Sequence, residues 1–326
     1  MKRLPLLILL AIGFNAGFSP ALHAQTGDWP NKPLWIVISG AIGGPSDLLM
    51  RIFIPSLQKG LGQQVLVESK VGAAGIIAAD YVAKRPADGY YLLNTTTALH
   101  GVAPNVYKTM PFDPIRDFSG VGRLVSIPNV LYVREDFPAR NVRELIGWAK
   151  TNPGKLNFGS TGNGTTTQLG AVLFAQMAGV EVLHVPYNGG SAALQAMMSG
   201  QVHTSFDQLT NLVPLLKSGK LRALAVSGAT PSADLPGVPT VADSGLPGFN
   251  VTIWFGIAVT SATPRPIVNR LADEFNKALQ DPEVVARLHQ FGATPYWAGP
   301  TQFDEVMKLE IAKWGPVVKA AGMTPL

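Results

Sequence analysis

Short apolar runs bounded by Gly, Pro, Asn or Asp alternate along this chain with longer stretches whose apolar residues recur every three or four positions. The first kind reads as strands and the second as helices. Leu34-Trp35-Ile36-Val37-Ile38 leads into a helical run through Leu48, Leu49, Ile52 and Phe53. Val65-Leu66-Val67 precedes a small-residue helix from Ile76 to Lys84. Further strands are predicted at Tyr90 to Leu93, Asn129 to Val133, Lys155 to Phe158, Val182 to Val185, Val202 to Phe206, Leu221 to Val226 and Trp254 to Val259. Helices are predicted at Val142 to Lys150, Leu169 to Met177, Ser191 to Ser199 and Leu212 to Lys217. Beyond Val259 the pattern predicts helix throughout, over Pro264 to Leu279, Pro282 to Phe291 and Thr301 to Ala321. This alternation predicts an α/β fold with largely parallel sheets. Pro55 falls inside the first helical run and predicts a kink or an early end there. Ser227 to Gly248, rich in Pro and Gly, reads as a long crossing segment.

Two strand-to-helix junctions carry candidate chemistry. The first is Ser39-Gly40-Ala41-Ile42-Gly43-Gly44-Pro45-Ser46-Asp47. Pro45 suits the first helical position and Asp47 the first turn. The second is Gly159-Ser160-Thr161-Gly162-Asn163-Gly164-Thr165-Thr166-Thr167. Glycines let backbone approach a ligand closely, and the first N–H groups of a helix are unpaired and face a positive dipole end. Both loops therefore favour an anion. Neither contains Lys or Arg, which suits reversible holding by hydrogen bonds. Each by itself also fits an ordinary βα turn. Together, far apart in the chain, they suggest two lobes sharing one anionic ligand.

Composition narrows the setting. Lys2 and Arg3, the apolar stretch from Leu4 to Ile12, and Leu22-His23-Ala24 before Gln25 read as a secretory signal over residues 1–24. The apolar stretch is too short for a spanning helix. An exported, periplasmic mature protein is expected. Its formal charge falls from +5 to +3 when Lys2 and Arg3 leave. With no cysteine, disulfides are excluded and the core must hold the fold. Charged residues make up only 14% and form no cluster, which argues against a nucleic-acid partner.

Catalytic signatures are missing. No Gly-x-Ser-x-Gly elbow occurs, and Gly154-Lys155 is followed by Leu156 rather than the hydroxyl residue of a phosphate loop. Gly162-Asn163-Gly164 has Thr167 where a dinucleotide fingerprint has its third glycine. His100, His184, His203 and His289 lack metal-ligand spacing. No cofactor, metal or catalytic residue is therefore assigned. Ser160, His203 and Asp207 would make a triad only if the fold gathered them. His184, in an apolar strand, reads as a hydrogen-bonded core residue. Tyr187, Phe206 and Trp254 read either as core or as walls for an aromatic ligand.

The order of motifs resembles one family. Ile42-Gly43-Gly44 with Asp47 and Arg51, Val67-Glu68 with Gly72-Ala73-Ala74-Gly75, and Ala87-Asp88-Gly89-Tyr90 are similar to its N-terminal signatures. Gly154-Lys155-Leu156 with Ser160-Thr161-Gly162-Asn163-Gly164 is similar to its second ligand loop. His184-Val185-Pro186-Tyr187-Asn188-Gly189, Gly219 to Val226, Val238-Pro239-Thr240 and Gly245 to Phe249 follow in order. The chain thus resembles the tripartite tricarboxylate transporter receptors, also called Bug receptors.

That resemblance implies a two-lobed α/β periplasmic-binding-protein fold of the type II kind, with a ligand cleft between lobes. It implies a small organic carboxylate as ligand, a di- or tricarboxylate or an aromatic diacid, and delivery to the permease subunits of a tripartite tricarboxylate transporter. A membrane sensor kinase is an alternative partner, and a hydrolase of carboxylate esters the alternative enzyme reading. Implied ligand residues are Ile42, Gly43, Gly44 and Ser46 from the first loop, and Ser160, Thr161, Gly162, Gly164, Thr165 and Thr166 from the second. Thr97 and Asp207 are implied to flank the cleft. The expected division is 25–123 plus 251–326 for lobe I and 124–250 for lobe II. Ser39-Gly40 departs from the usual Pro-aromatic pair, Gln168 from a common His, and His203 from a common acid. The first departure lies beside the ligand loop, so the family pattern does not specify which carboxylate is bound.

Overall fold

A computed structural model describes residues 29–162 and 165–322. The expected signal segment, Asn163 and the candidate Gly164 lie outside the described residues. The strands are β1 (Leu34–Ile38), β2 (Val65–Ser69), β3 (Tyr91–Thr96), β4 (Phe118–Arg134), β5 (Leu156–Ser160), β6 (Val182–Pro186), β7 (Thr204–Gln208), β8 (Leu221–Val226), β9 (Thr252–Thr260) and β10 (Thr294–Ala298). The helices are α1 (Pro45–Leu61), α2 (Ile76–Ala83), α3 (Ala103–Val106), α4 (Val142–Thr151), α5 (Thr166–Ala178), α6 (Gly190–Met198), α7 (Leu209–Lys217), α8 (Arg265–Ala278), α9 (Pro282–Gln290) and α10 (Pro300–Ala320). A π-turn over Thr97–Val102 follows β3 directly. Among the described residues no helix is long and apolar enough to cross a membrane.

The strand path runs β2-β1-β3-β9-β4-β7-β5-β6, with β8 and β10 also on β4. The long strand β4 belongs to both halves of this two-lobed α/β fold. From Phe118 to Pro128 it pairs with β9, and from Arg123 to Ser126 also with β10. From Asn129 onward its partners are β7 and β8. The outer pairs β1–β2, β1–β3, β5–β6 and β5–β7 are parallel, as βαβ alternation predicts. Every pair involving β4 or β9 is antiparallel, so the expectation of largely parallel sheets holds only away from the centre.

The change of partner is locked by one serine. Ser227 donates its N–H to the Asn129 carbonyl at 2.8 Å, and its hydroxyl accepts the Asn129 N–H at 2.9 Å. The same hydroxyl donates to the Val251 carbonyl at 2.5 Å, while Val251 N–H returns to the Ser227 carbonyl at 2.8 Å. Three passages of chain are thereby tied where the halves meet. Buried backbone groups need partners, and here one short side chain supplies what the broken ladder does not.

Each half has its own core. Ile36, Phe53, Val125, Ile257, Leu271 and Phe275 belong to the first. Leu131, Phe158, Phe174, Phe206 and Phe249 belong to the second. Trp314, Val317 and Val318, at the end of α10, pack into the second core, whereas Phe303 near its start meets Trp254 of β9. The C-terminal helix therefore spans both halves.

Several expectations are corrected. Pro55 does not end α1, which runs on to Leu61 and closes with Gly62 in the left-handed conformation at φ 68°. An interior proline costs about 3 kcal/mol. Burial of Leu49, Met50, Ile52, Phe53, Leu57 and Leu61 outweighs it at ~1.5–3 kcal/mol each. The stretch after Val259 is not all helix, because β10 lies between α9 and α10. The front of β4 also escapes the period-2 pattern, since its register shifts at Gly120–Gly122 and Arg123–Val125.

Close packing against β9 generates a stability test. A Cβ on Gly256 would lie 2.3 Å from Phe303 Cζ and 2.8 Å from the Gly122 carbonyl oxygen. Gly256→Ala is expected to cost about 1–3 kcal/mol, read as a lower urea midpoint at unchanged slope. Gly147→Ala, on exposed α4 with nothing within 4 Å, is expected to gain ~0.5–1 kcal/mol instead. Equal midpoints for the two variants would contradict the packing account.

Candidate functional site

Topology places the two loops. Thr96, the last residue of β3, pairs with Phe255 near the start of β9, and Thr252 at that start pairs with Pro128. The C-terminal ends of β3 and its parallel neighbours β1 and β2 therefore point toward the level where β4 changes partner. In the other half, Gln208 at the end of β7 pairs with Asn129. The ends of β7 and its parallel neighbours β5 and β6 point toward the same level. The loops after β1 and after β5 thus both open on the junction between lobes, where open α/β sheets bind ligands.

The first loop is braced from beneath. Gly44 N–H donates to the Ala41 carbonyl at 2.9 Å, and the Ser69 hydroxyl donates to the Gly40 carbonyl at 2.7 Å. Gly43, at φ 79°, donates its N–H to Asp47 Oδ2 at 2.8 Å. Arg51 Nε donates to Asp47 Oδ1 at 2.9 Å. The Arg51 hydrogen bond and charge, with the Gly43 N–H, hold the buried Asp47 carboxyl below the usual carboxylate range against the opposing effect of burial. Arg51 thereby offsets an acid at a helix start that would otherwise repel an anion. No side chain caps α1, Ser46 is buried, and Ile42 is 60% exposed at the loop's tip.

The second loop is a web of hydroxyls. Thr165 caps α5, accepting the Gln168 N–H at 3.4 Å and donating to the Gly162 carbonyl at 2.7 Å. Thr167 Oγ1 accepts the Thr161 N–H at 2.9 Å and touches the hydroxyls of Thr161 and Thr165, each at 2.9 Å. Thr167 is the node of the web, although it was singled out in the sequence only as a replacement for glycine. Ser160 is fully buried; its hydroxyl donates to the Gly162 carbonyl at 3.2 Å and lies 2.6 Å from His184 Nε2. Thr161, Gly162, Thr165 and Thr166 are half-buried. Gly162, at φ 136°, holds a conformation that side chains rarely adopt.

The remaining candidates are anchored. Thr97 is buried, with its hydroxyl donating to the Thr252 carbonyl at 3.3 Å and accepting the Trp254 N–H at 2.9 Å. Asp207 Oδ1 accepts from Gln208 N–H at 2.7 Å and Asn211 Nδ2 at 2.9 Å. Burial pushes the Asp207 carboxyl up, against those two bonds. Its Oδ2 lies against Gly190 at the start of α6, where a Cβ would come within 2.9 Å.

Ser160, His203 and Asp207 do not form a triad. The histidine on Ser160 is His184, whereas His203 Nδ1 accepts the Asn157 N–H at 3.0 Å and packs between Phe137 and Trp148. Beyond His184 stands Gln168, with its Nε2 at 3.4 Å from Nδ1, and no carboxylate. His184 is hydrogen-bonded as its strand context predicts, but it is half-buried beside the loop. Phe206 and Trp254 line no ligand wall. Phe206 packs against Phe158 and Phe249, and Trp254 meets Phe303 edge-on. Among the described residues no group of three or more His, Asp or Glu is placed to hold a metal ion.

Comparisons with known proteins identify the family. The family model of the tripartite tricarboxylate transporter family receptor matches residues 49–323. A protein in the tcbD–tcbE intergenic region of Pseudomonas sp. (strain P51) is 37% identical over 291 residues, covering 89% of this chain and 86% of the relative. Among solved structures, a protein of R. palustris with adipate superposes at a TM-score of 0.74 with 36% identity, covering 92% of this chain and 100% of that one. MatC from Rhodopseudomonas palustris with bound malate gives a TM-score of 0.70 and 32% identity, covering 89% and 100%. With the two-lobed fold and the paired loops, the match over most of the sequence places this chain in the tripartite tricarboxylate transporter receptor family.

Proposed function

We propose that this protein is a periplasmic receptor that captures a small organic carboxylate, leaves it chemically unchanged and hands it to the permease subunits of a tripartite tricarboxylate transporter. One observation carries the reading: two glycine- and hydroxyl-rich helix starts, one from each half, open on the same junction. Relatives with adipate and with malate support a carboxylate as the ligand class. The proposed division keeps 25–123 with 251–326 as one lobe and 124–250 as the other, after removal of a signal over residues 1–24. Closure about the β4 crossing would bury the carboxylates away from water and strengthen their hydrogen bonds. Neutral donors give net contributions of about 1 kcal/mol each, so several together hold the ligand while release stays possible.

The loop chemistry sets a ranking. Ser160→Ala and Thr161→Ala are each expected to weaken binding by ~1–3 kcal/mol, because each leaves a desolvated carboxylate oxygen short of a donor. Arg51→Ala is expected to cost less, since Arg51 is half-exposed and committed to Asp47. Calorimetric titration of the three variants with adipate and malate decides the order; a loss confined to Arg51→Ala would mean that the anion site is misplaced.

Two loops also imply two ends. Adipate, its half-amide and hexanoate form a matched series, and affinity is expected to fall stepwise along it because each missing acceptor leaves buried donors unpaired. Binding near one ligand per chain, with the ligand recovered intact, is the expected accompaniment. Equal affinity for hexanoate and adipate would leave a single loop reading a carboxylate, and turnover of the ligand would overturn the receptor reading.

A further inference from the structure

Ser160 connects the ligand loop to a residue one strand away. β5 and β6 run parallel with Phe158 level with His184 and Ser160 level with Pro186. His184 thus sits behind the loop and reaches forward, its Nε2 at 2.6 Å from the Ser160 hydroxyl. Proton positions follow from the partners. Gln168 Nε2 is a donor only, so His184 Nδ1, 3.4 Å away, accepts. In the neutral ring Nε2 then carries the proton and donates to Ser160 Oγ, which is free to donate its own proton to the Gly162 carbonyl. The chain of bonds is directional, from Gln168 through His184 and Ser160 into the loop.

We infer that His184 is a positioning residue for the second ligand loop, and that its protonation couples anion affinity to pH. This rests on the carboxylate-receptor reading above. When a carboxylate arrives, the Ser160 proton turns from the Gly162 carbonyl to the ligand oxygen. His184 Nε2–H continues to donate to Ser160 Oγ and polarises it. A second proton, on Nδ1, adds a positive charge one hydrogen bond behind a loop that has no cation of its own.

The surroundings leave the imidazole responsive. β5 presents Phe158, α5 presents Gln168 and Val172, and the end of α10 presents Ala320 and Ala321. Glu181, just before β6, lines the same groove of about 530 Å³ and is the one charged side chain in its lining among the described residues. Burial holds His184 below the ordinary imidazole range, so the free receptor carries it neutral at neutral pH. A bound anion favours the imidazolium and raises that value. By linkage, the loaded form binds more protons than the free form between the two values, and affinity rises as pH falls through that window.

Calorimetry from about pH 8 to about pH 6 with adipate and malate tests the inference, comparing wild type with His184→Gln. Dividing the two affinities at each pH cancels the ligand's own protonation. The wild type is expected to gain about three- to tenfold over His184→Gln across that range. His203→Gln, half-buried against Phe137 and Trp148 away from the loop, is expected to keep the wild-type profile. A second measurement needs no variant: the His184 ring titration, followed by NMR, should move to higher pH when the protein is loaded. A flat affinity ratio, or an unmoved His184 titration in a loaded receptor, overturns the inference and leaves the carboxylate reading standing. A wild-type protein that binds neither acid overturns the carboxylate reading, and this one with it.

Discussion

The whole arrangement depends on one strand serving two sheets. β4 keeps a continuous backbone from Phe118 to Arg134 while exchanging both of its neighbours between Pro128 and Asn129. A strand cannot change partners without leaving donors and acceptors exposed at the exchange point. Ser227 answers that need, bonding Asn129 on one side and Val251 on the other. From this single constraint the direction of every other strand follows. Antiparallel β9 and β7 turn their parallel neighbours so that the strand ends of both halves face the exchange point. The loops after β1 and after β5 therefore open at that level.

On the proposed receptor reading, attraction for an anion at those loops would come from dipoles and neutral donors. The loop after β1 contains an acid, Asp47, but Arg51 and Gly43 consume both of its oxygens. The loop after β5 contains no charge at all; Thr161, Thr165 and Thr167 occupy one another, while Ser160 bonds the Gly162 carbonyl and His184. On that reading such a web is preorganised, because hydroxyls would need only to rotate toward a ligand. A receptor that must also give its ligand up benefits from bonds of moderate strength. A buried guanidinium clamp would make each contact roughly twice as strong and slow the release.

The aromatic residues define the lobes rather than the ligand. Phe158, Phe174, Phe206 and Phe249 form a continuous ring-packed centre of the second half. Trp254 and Phe303 fasten the C-terminal helix to β9. That helix then continues to Trp314 and Val317 in the other core, so the two halves share a brace besides the strand. Among the described residues the halves are thus joined by β4, by the bonds of Ser227 to Asn129 and Val251, and by this helix.

Much was legible in the sequence because it is local. Strand–loop–helix units, the helix start at Pro45 and the two glycine-rich junctions are each set by neighbouring residues through backbone sterics and side-chain period. The family motifs lie in those same units, so the fold class and candidate loops could be read in order along the chain. Long-range pairing was not legible. The front of β4 hides behind Gly120 and Gly122, whose register shifts break the alternation, and β10 is too short and irregular between two helices to register as a strand. Pro55 misled because its cost is local while the burial that overcomes it is tertiary. The same division holds at the site. Sequence supplied Ser160 and a histidine, but His203 and His184 are equivalent on paper. Only the parallel register of β5 with β6 decided that His184 reaches Ser160 while His203 lies between Phe137 and Trp148. Which residues can turn and cap is a property of the chain; which residues meet is fixed by strand order, because contacts across a sheet depend on pairing between segments that share no local signal.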